Sequence, residues 1–184
     1  MMKPVSSSVV FLFLTLLLSS CSFHCQIGND TTAEEKSTPR VKGDMMLYNG
    51  IEVDARNMQL DKAYLVTNDE RAERIDDDNV VDLERGVKLI LLIKDGWKEI
   101  DDKVWLDASL LVTNSNGETV LEKENMFAKY GAEGLSAEDA KTIGLSVYFK
   151  GEDVTKPDTY KVKFKVNDQK GDASLEGSYK IYTR

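Results

Sequence analysis

The densest set of oxygen ligands in the chain is the run Asp76-Asp77-Asp78-Asn79, with Asp82 close behind and Asp101-Asp102 in the next polar stretch. Calcium takes about six to eight oxygen ligands, and loops rich in Asp and Asn can supply them. If the two stretches met at one end of the fold, Asp76, Asp77, Asp78, Asp101 and Asp102 would be the candidate ligands. Neither run has the EF-hand spacing, and a solvated loop is the favoured explanation of both. Trp97 stands in the turn-like stretch Lys94-Asp95-Gly96-Trp97-Lys98. An indole flanked by polar residues is a candidate ligand contact, since such rings serve as platforms for sugars or partner side chains. Packing against the core is the blander alternative and the preferred one. Trp105 alternates opposite to Val104 and Leu106, so its side is left open.

Other chemistries are excluded by what the chain lacks. Its single histidine is His24, and its two cysteines are Cys21 and Cys25, so nothing beyond residue 25 can supply a His or Cys. Ser-His-Asp and Cys-His mechanisms therefore have no base or thiol in the main part of the chain. No phosphate-binding loop or dinucleotide fingerprint is present. Carboxylates are abundant, but a catalytic pair needs a cleft that moves their pKa values apart, and short strands with frequent turns offer none in an obvious way. The chain is expected to be no enzyme and to need no cofactor, calcium apart. With 24 Lys+Arg against 32 Asp+Glu the formal charge is -8. That balance disfavours nucleic acid, whose binding rewards neutralisation of phosphates, and broad adsorption to anionic lipid.

The N-terminus carries a different signal. Met1-Met2-Lys3 is a short basic start, Val9 to Leu18 is nearly all apolar, and Leu18-Ser19-Ser20 precede Cys21. This is the layout of a secretory signal, and the apolar run is short for a membrane-spanning helix. Residues 1–21 resemble a bacterial lipoprotein signal peptide. The resemblance implies cleavage after Ser20, with Leu18, Ser19 and Ser20 as the motif, and diacylglycerol and a further acyl chain such as palmitate on Cys21. Two or more chains give stable anchoring, since each buried methylene contributes about 0.8 kcal/mol. Ser22, not Asp, follows the cysteine, and in the enteric sorting rule this implies the outer membrane. With Cys21 acylated, His24 and Cys25 leave too few ligands for a zinc site. Residues 21–44 read as a lipidated flexible tether, because Asn29 to Pro39 is polar and aperiodic.

The remainder, residues 45–184, reads as one domain of alternating strands. Tyr160, Val162, Phe164 and Val166 share one side and Lys161, Lys163 and Lys165 the other, and Leu175, Gly177, Tyr179 and Ile181 repeat the pattern. Asn167 to Asp172 is a turn, so these segments form a hairpin. Lys103 to Val112 runs into Asn116-Gly117, a strong hairpin signal, with Glu118 to Leu121 returning. Gly86 to Lys94 is nearly continuous in apolar residues and predicts a central strand covered on both faces. Leu145 to Phe149, Tyr48 to Val53 and Leu60 to Val66 complete the set. One helix is expected from Ser136, with Asp139 as its capping partner, to Ile143 before Gly144. It would lie in a long connection over residues 122–144.

The sum is an all-β fold of about seven or eight strands with one short helix in a crossover. The order of strands, turns and crossover over residues 80–184 resembles an immunoglobulin-like β-sandwich, without the cysteine pair of antibody domains. The expected protein is lipid-anchored at the bacterial cell envelope, outer membrane by the sorting rule. It would present a non-enzymatic binding or accessory module to an envelope protein or glycan. The alternative is a carbohydrate- or ligand-binding module using Trp97 and the acidic loops, stabilised by calcium.

Overall fold

The computed structural model describes residues 40–82, 84–149 and 157–183. The expected signal segment, Leu18, Ser19, Ser20, Cys21 and most of the tether lie outside the described residues. The strands in chain order are β1 (Arg40–Lys42), β2 (Met45–Leu47), β3 (Glu52–Arg56), β4 (Gln59–Thr67), β5 (Val87–Asp95), β6 (Lys103–Val104), β7 (Leu106–Thr113), β8 (Thr119–Lys123), β9 (Leu135–Ser136), β10 (Thr142–Val147), β11 (Thr159–Asp168) and β12 (Ser174–Tyr182). One sheet has the order β1-β2-β4-β5-β10, a second the order β3-β12-β11-β7-β8, and β6 pairs with β9 apart from both. The pairings are antiparallel except β2 with β4. The two five-stranded sheets face each other across one core, giving the expected all-β sandwich. More strands are present than the seven or eight expected, because short edge and bridge strands carry too few residues to show a period.

Strict alternation explains the centre of the second sheet. In β11, Tyr160, Val162, Phe164 and Val166 are buried while Lys161, Lys163 and Lys165 are exposed. Tyr160 pairs with Ile181 and Phe164 with Gly177 across the β11–β12 hairpin. Gly177 is required there: a Cβ would lie 2.6 Å from the tip of the Phe164 ring and collide with the Glu52 carbonyl. The ring thus covers the missing side chain. On the opposing sheet Val87, Leu89 and Leu91 of β5 are wholly buried. Each fully buried side chain of this size contributes about 1.5–3 kcal/mol.

Several expectations are corrected. β5 is buried on one face only; Lys88, Ile90 and Leu92 on its other face are half-buried, because no further layer among the described residues covers that side. The helix expected over Ser136–Ile143 is a single 3-10 turn, Asp139–Lys141. Ser136 does act as the cap, its Oγ accepting from the Asp139 N–H at 3.0 Å and donating to the Asp139 carboxylate at 2.6 Å. The chain then becomes β10, because Ile143, Leu145 and Val147 alternate into the core opposite β5. The strand expected at Tyr48–Val53 is interrupted. Asn49 and Gly50 have φ of 55° and 60° and turn the chain from β2 in one sheet to β3 in the other. Among the described residues the first strand is β1, which pairs with β2 inside the stretch expected to be tether.

Candidate functional site

The run Asp76–Asn79 is a structural knot. Asn79 is buried with φ of 54°, a conformation Asn tolerates better than most residues. Its Nδ2 donates to the carbonyls of Asn49 and Lys180, both at 2.8 Å. Asn49, also buried, donates from Nδ2 to the Ile75 carbonyl at 2.9 Å, the Asp76 carbonyl at 3.1 Å and Asn79 Oδ1 at 3.0 Å. Its Oδ1 accepts the Leu65 N–H at 2.9 Å. Of the acidic side chains, Asp77 accepts the Asn49 N–H at 3.3 Å and Asp78 accepts the Val80 N–H at 3.0 Å. These carboxylates hold backbone. Sequence reasoning read Asn79 as a member of the acidic run; the Asn49-Gly50 turn dipeptide was the available sign that Asn49 sits at a special backbone position.

Asp101 and Asp102 have a different cause. Ile100 and Lys103 exchange both backbone hydrogen bonds, at 2.9 and 3.0 Å, and the two aspartates between them have φ of 52° and 58°. That is a type I′ turn, which Asp suits. The Asp102 carbonyl accepts the Ala137 N–H, and the nearby Trp105 carbonyl accepts the N–H of Gln169 in the β11–β12 turn. Asn79 binds at the other end of β12, through Lys180 and Tyr182. At about 3.4 Å per residue the length of β12 separates the two acidic runs by on the order of 25 Å. They do not meet, and among the described residues no three carboxylate, His or Cys groups come close enough together to hold a metal ion.

Trp97 is half-buried against the core, its indole N–H donating to the Ala140 carbonyl at 3.1 Å. Trp105 is half-buried as well, with Lys170 Nζ 5.9 Å from its ring centre. Neither ring lines the main groove.

That groove was not foreseen. It has a volume of about 630 Å3 and crosses β3, β12, β11 and β7, with β1 as one wall. Arg40, Lys42, Lys163 and Lys165 bring four cations to it, and Glu52, Asp54 and Glu176 three carboxylates. Ser109 and Ser178 add hydroxyls and Leu111 an apolar side chain, and the core-facing Phe164 ring lines it at the side-chain-free Gly177. A smaller depression of about 260 Å3 shares Glu52 and Ser178 with it and continues past Lys161 and Lys180 to Asp77, Asn79 and Tyr182. The register explains the convergence. Lys165 stands opposite Glu176, which stands opposite Asp54, and Lys163 opposite Ser178, which stands opposite Glu52. Among the described residues, Lys163, Lys165, Glu52, Asp54 and Glu176 join no ion pair.

The displaced carboxylate pKa values lie elsewhere. Arg85 donates to Asp69 and Glu73, both at 2.6 Å. These bonds hold Asp69 at about 2 and push Glu73 below its ordinary value. Asp158 is lowered chiefly by the Ser115 hydroxyl. All three sit in turns or at strand ends and act as loop ties.

No protein-family model matches the chain, and no curated protein matches it in sequence. Among solved structures, the chain is similar to the C-terminal domain of wzt, with 9% identity and a TM-score of 0.46 over 81% of this chain and 82% of that one.

Proposed function

We propose that this protein is a lipid-anchored, non-enzymatic binding module of the bacterial cell envelope, and that the charged groove across β3, β12, β11 and β7 is its ligand site. The observation that carries the reading is the groove itself: five side chains of both signs, committed to no ion pair among the described residues, around a concavity of about 630 Å3. Its volume is in the range of small-molecule and oligomer sites. Charges that serve only solubility have no reason to converge on a concavity, whereas a ligand gains orientation from them. The His- and Cys-free sequence beyond residue 25 supports binding over catalysis by the His- and thiol-based routes. The Leu18-Ser19-Ser20-Cys21 motif supports the anchor, which raises the effective concentration of the module near envelope partners.

Two experiments test this. Cys21→Ser should release the protein from membranes; continued membrane association would reject the anchor. Ser178 lies where the two depressions meet, on the solvent side of β12. Ser178→Trp should block the groove without entering the core. The full chain in detergent should be retained by delipidated envelope extract and the variant should not. Equal retention of both, or of neither, would reject the groove as the ligand site.

A further inference from the structure

We infer that the groove takes an extended acidic glycan, a sugar chain bearing carboxylate or phosphate groups; this rests on the groove being the ligand site. The two depressions share Glu52 and Ser178 and form one trough along β12 and β11. From Glu176 to Tyr182 the trough follows β12 for about 20 Å at 3.4 Å per residue, which suits a chain and exceeds a single ring.

Lys161, Lys163 and Lys165 form a column along its axis, spaced about 7 Å apart as alternate residues of one strand. Lys180, Arg40 and Lys42 flank the column. The chain as a whole has a charge of -8, so this is a local reversal of sign. Screening over about 8 Å at physiological salt lets the local cations decide what binds. The cations are interleaved with Glu52, Asp54, Glu176, Ser109 and Ser178. Carboxylates beside the lysines would repel a uniform polyanion but accept hydrogen bonds from hydroxyls. A ligand with spaced acids and hydroxyls between them satisfies both rows.

A peptide fits less well. Peptides dock on open sheet edges, in apolar helix grooves, on aromatic cages or on arginine clusters. The trough floor is formed by β12, paired on both sides with β11 and β3, and β11, paired with β12 and β7; the edge strands β3 and β1 form only its wall, where Lys42 Nζ already donates to the Val53 carbonyl of β3 at 2.9 Å.

The test is equilibrium binding of the full chain in non-ionic detergent to oligosaccharides bearing uronate, sialate or phosphate groups. Each is paired with its neutral counterpart (methyl-esterified, asialo or dephosphorylated), and poly-glutamate is included. At least one acidic oligosaccharide should bind about tenfold more tightly than its neutral partner. The preference should shrink as salt rises, and Lys163→Gln/Lys165→Gln should remove it while leaving the melting temperature in place. Binding of neutral members equal to acidic ones, equal or tighter binding of poly-glutamate, or no binding by any acidic member would overturn the inference. Because the Ser178→Trp experiment uses whole envelope extract, it can succeed while this one fails, and the groove would then hold a ligand of another class.

Discussion

Replacing Asn49 by Ala should destabilise the domain strongly. Asn49 is 1% exposed, and its side chain satisfies one backbone donor, Leu65 N–H, and reaches three acceptors with two hydrogens. Removing it forfeits about three net hydrogen bonds at about 1 kcal/mol each, and the buried Leu65 N–H left alone adds about 1 kcal/mol more. Alanine at φ of 55° adds roughly another 1 kcal/mol of backbone strain. The total, about 5 kcal/mol, is a large part of the stability of an ordinary domain. Urea unfolding followed by the fluorescence of the half-buried Trp97 and Trp105 measures it directly. Asn49→Gly removes the same bonds without the strain and should be milder by about 1 kcal/mol. A loss under about 1 kcal/mol for Asn49→Ala would refute the claim that this side chain ties β4 to the Ile75–Asn79 loop.

Other outcomes follow from the same geometry. The Tyr179 hydroxyl is buried with no hydrogen-bond partner among the described residues, and burial pushes its pKa up. Tyr179→Phe should therefore stabilise by about 1 kcal/mol, or ~3 °C in Tm by calorimetry; a lower Tm would show that the hydroxyl is satisfied in solution. Gly177→Ala should destabilise by about 2 kcal/mol or more in urea titration, because the Phe164 ring and the Glu52 carbonyl leave no room; a neutral effect would contradict that packing. Asp69 is held at about 2 in the folded chain, so the unfolded chain takes up its proton first on acidification. Its contribution is present above the ordinary carboxylate pKa and is lost as pH falls toward 2. Asp69→Asn should accordingly flatten the decline of Tm with acid, and an unchanged slope between wild type and variant would reject the Arg85 tie.

The parts of the fold legible in the sequence are those where one residue in two faces the core. β11, β12 and the Asn116-Gly117 hairpin were read almost residue for residue, because burial there imposes a period of two. The helix at Ser136 failed for the same reason. Its capping pair is real, but the alternation of Ile143, Leu145 and Val147 outweighs a short local signal. Asn79 was misread because three aspartates precede it, and nothing local tells a buried amide from a solvated one. The groove could not be read at all. Its charges come from strands far apart in sequence, and only the register that sets Lys165 against Glu176, and Glu176 against Asp54, brings them together.

The central claim is that a ligand sits in this groove, and a photo-crosslinking side chain at Ser178 in living cells tests it most directly. An adduct should form from Ser178 and be absent from the same group at Tyr148, an exposed position outside both depressions. No adduct from Ser178, or the same adduct from both positions, would contradict the account.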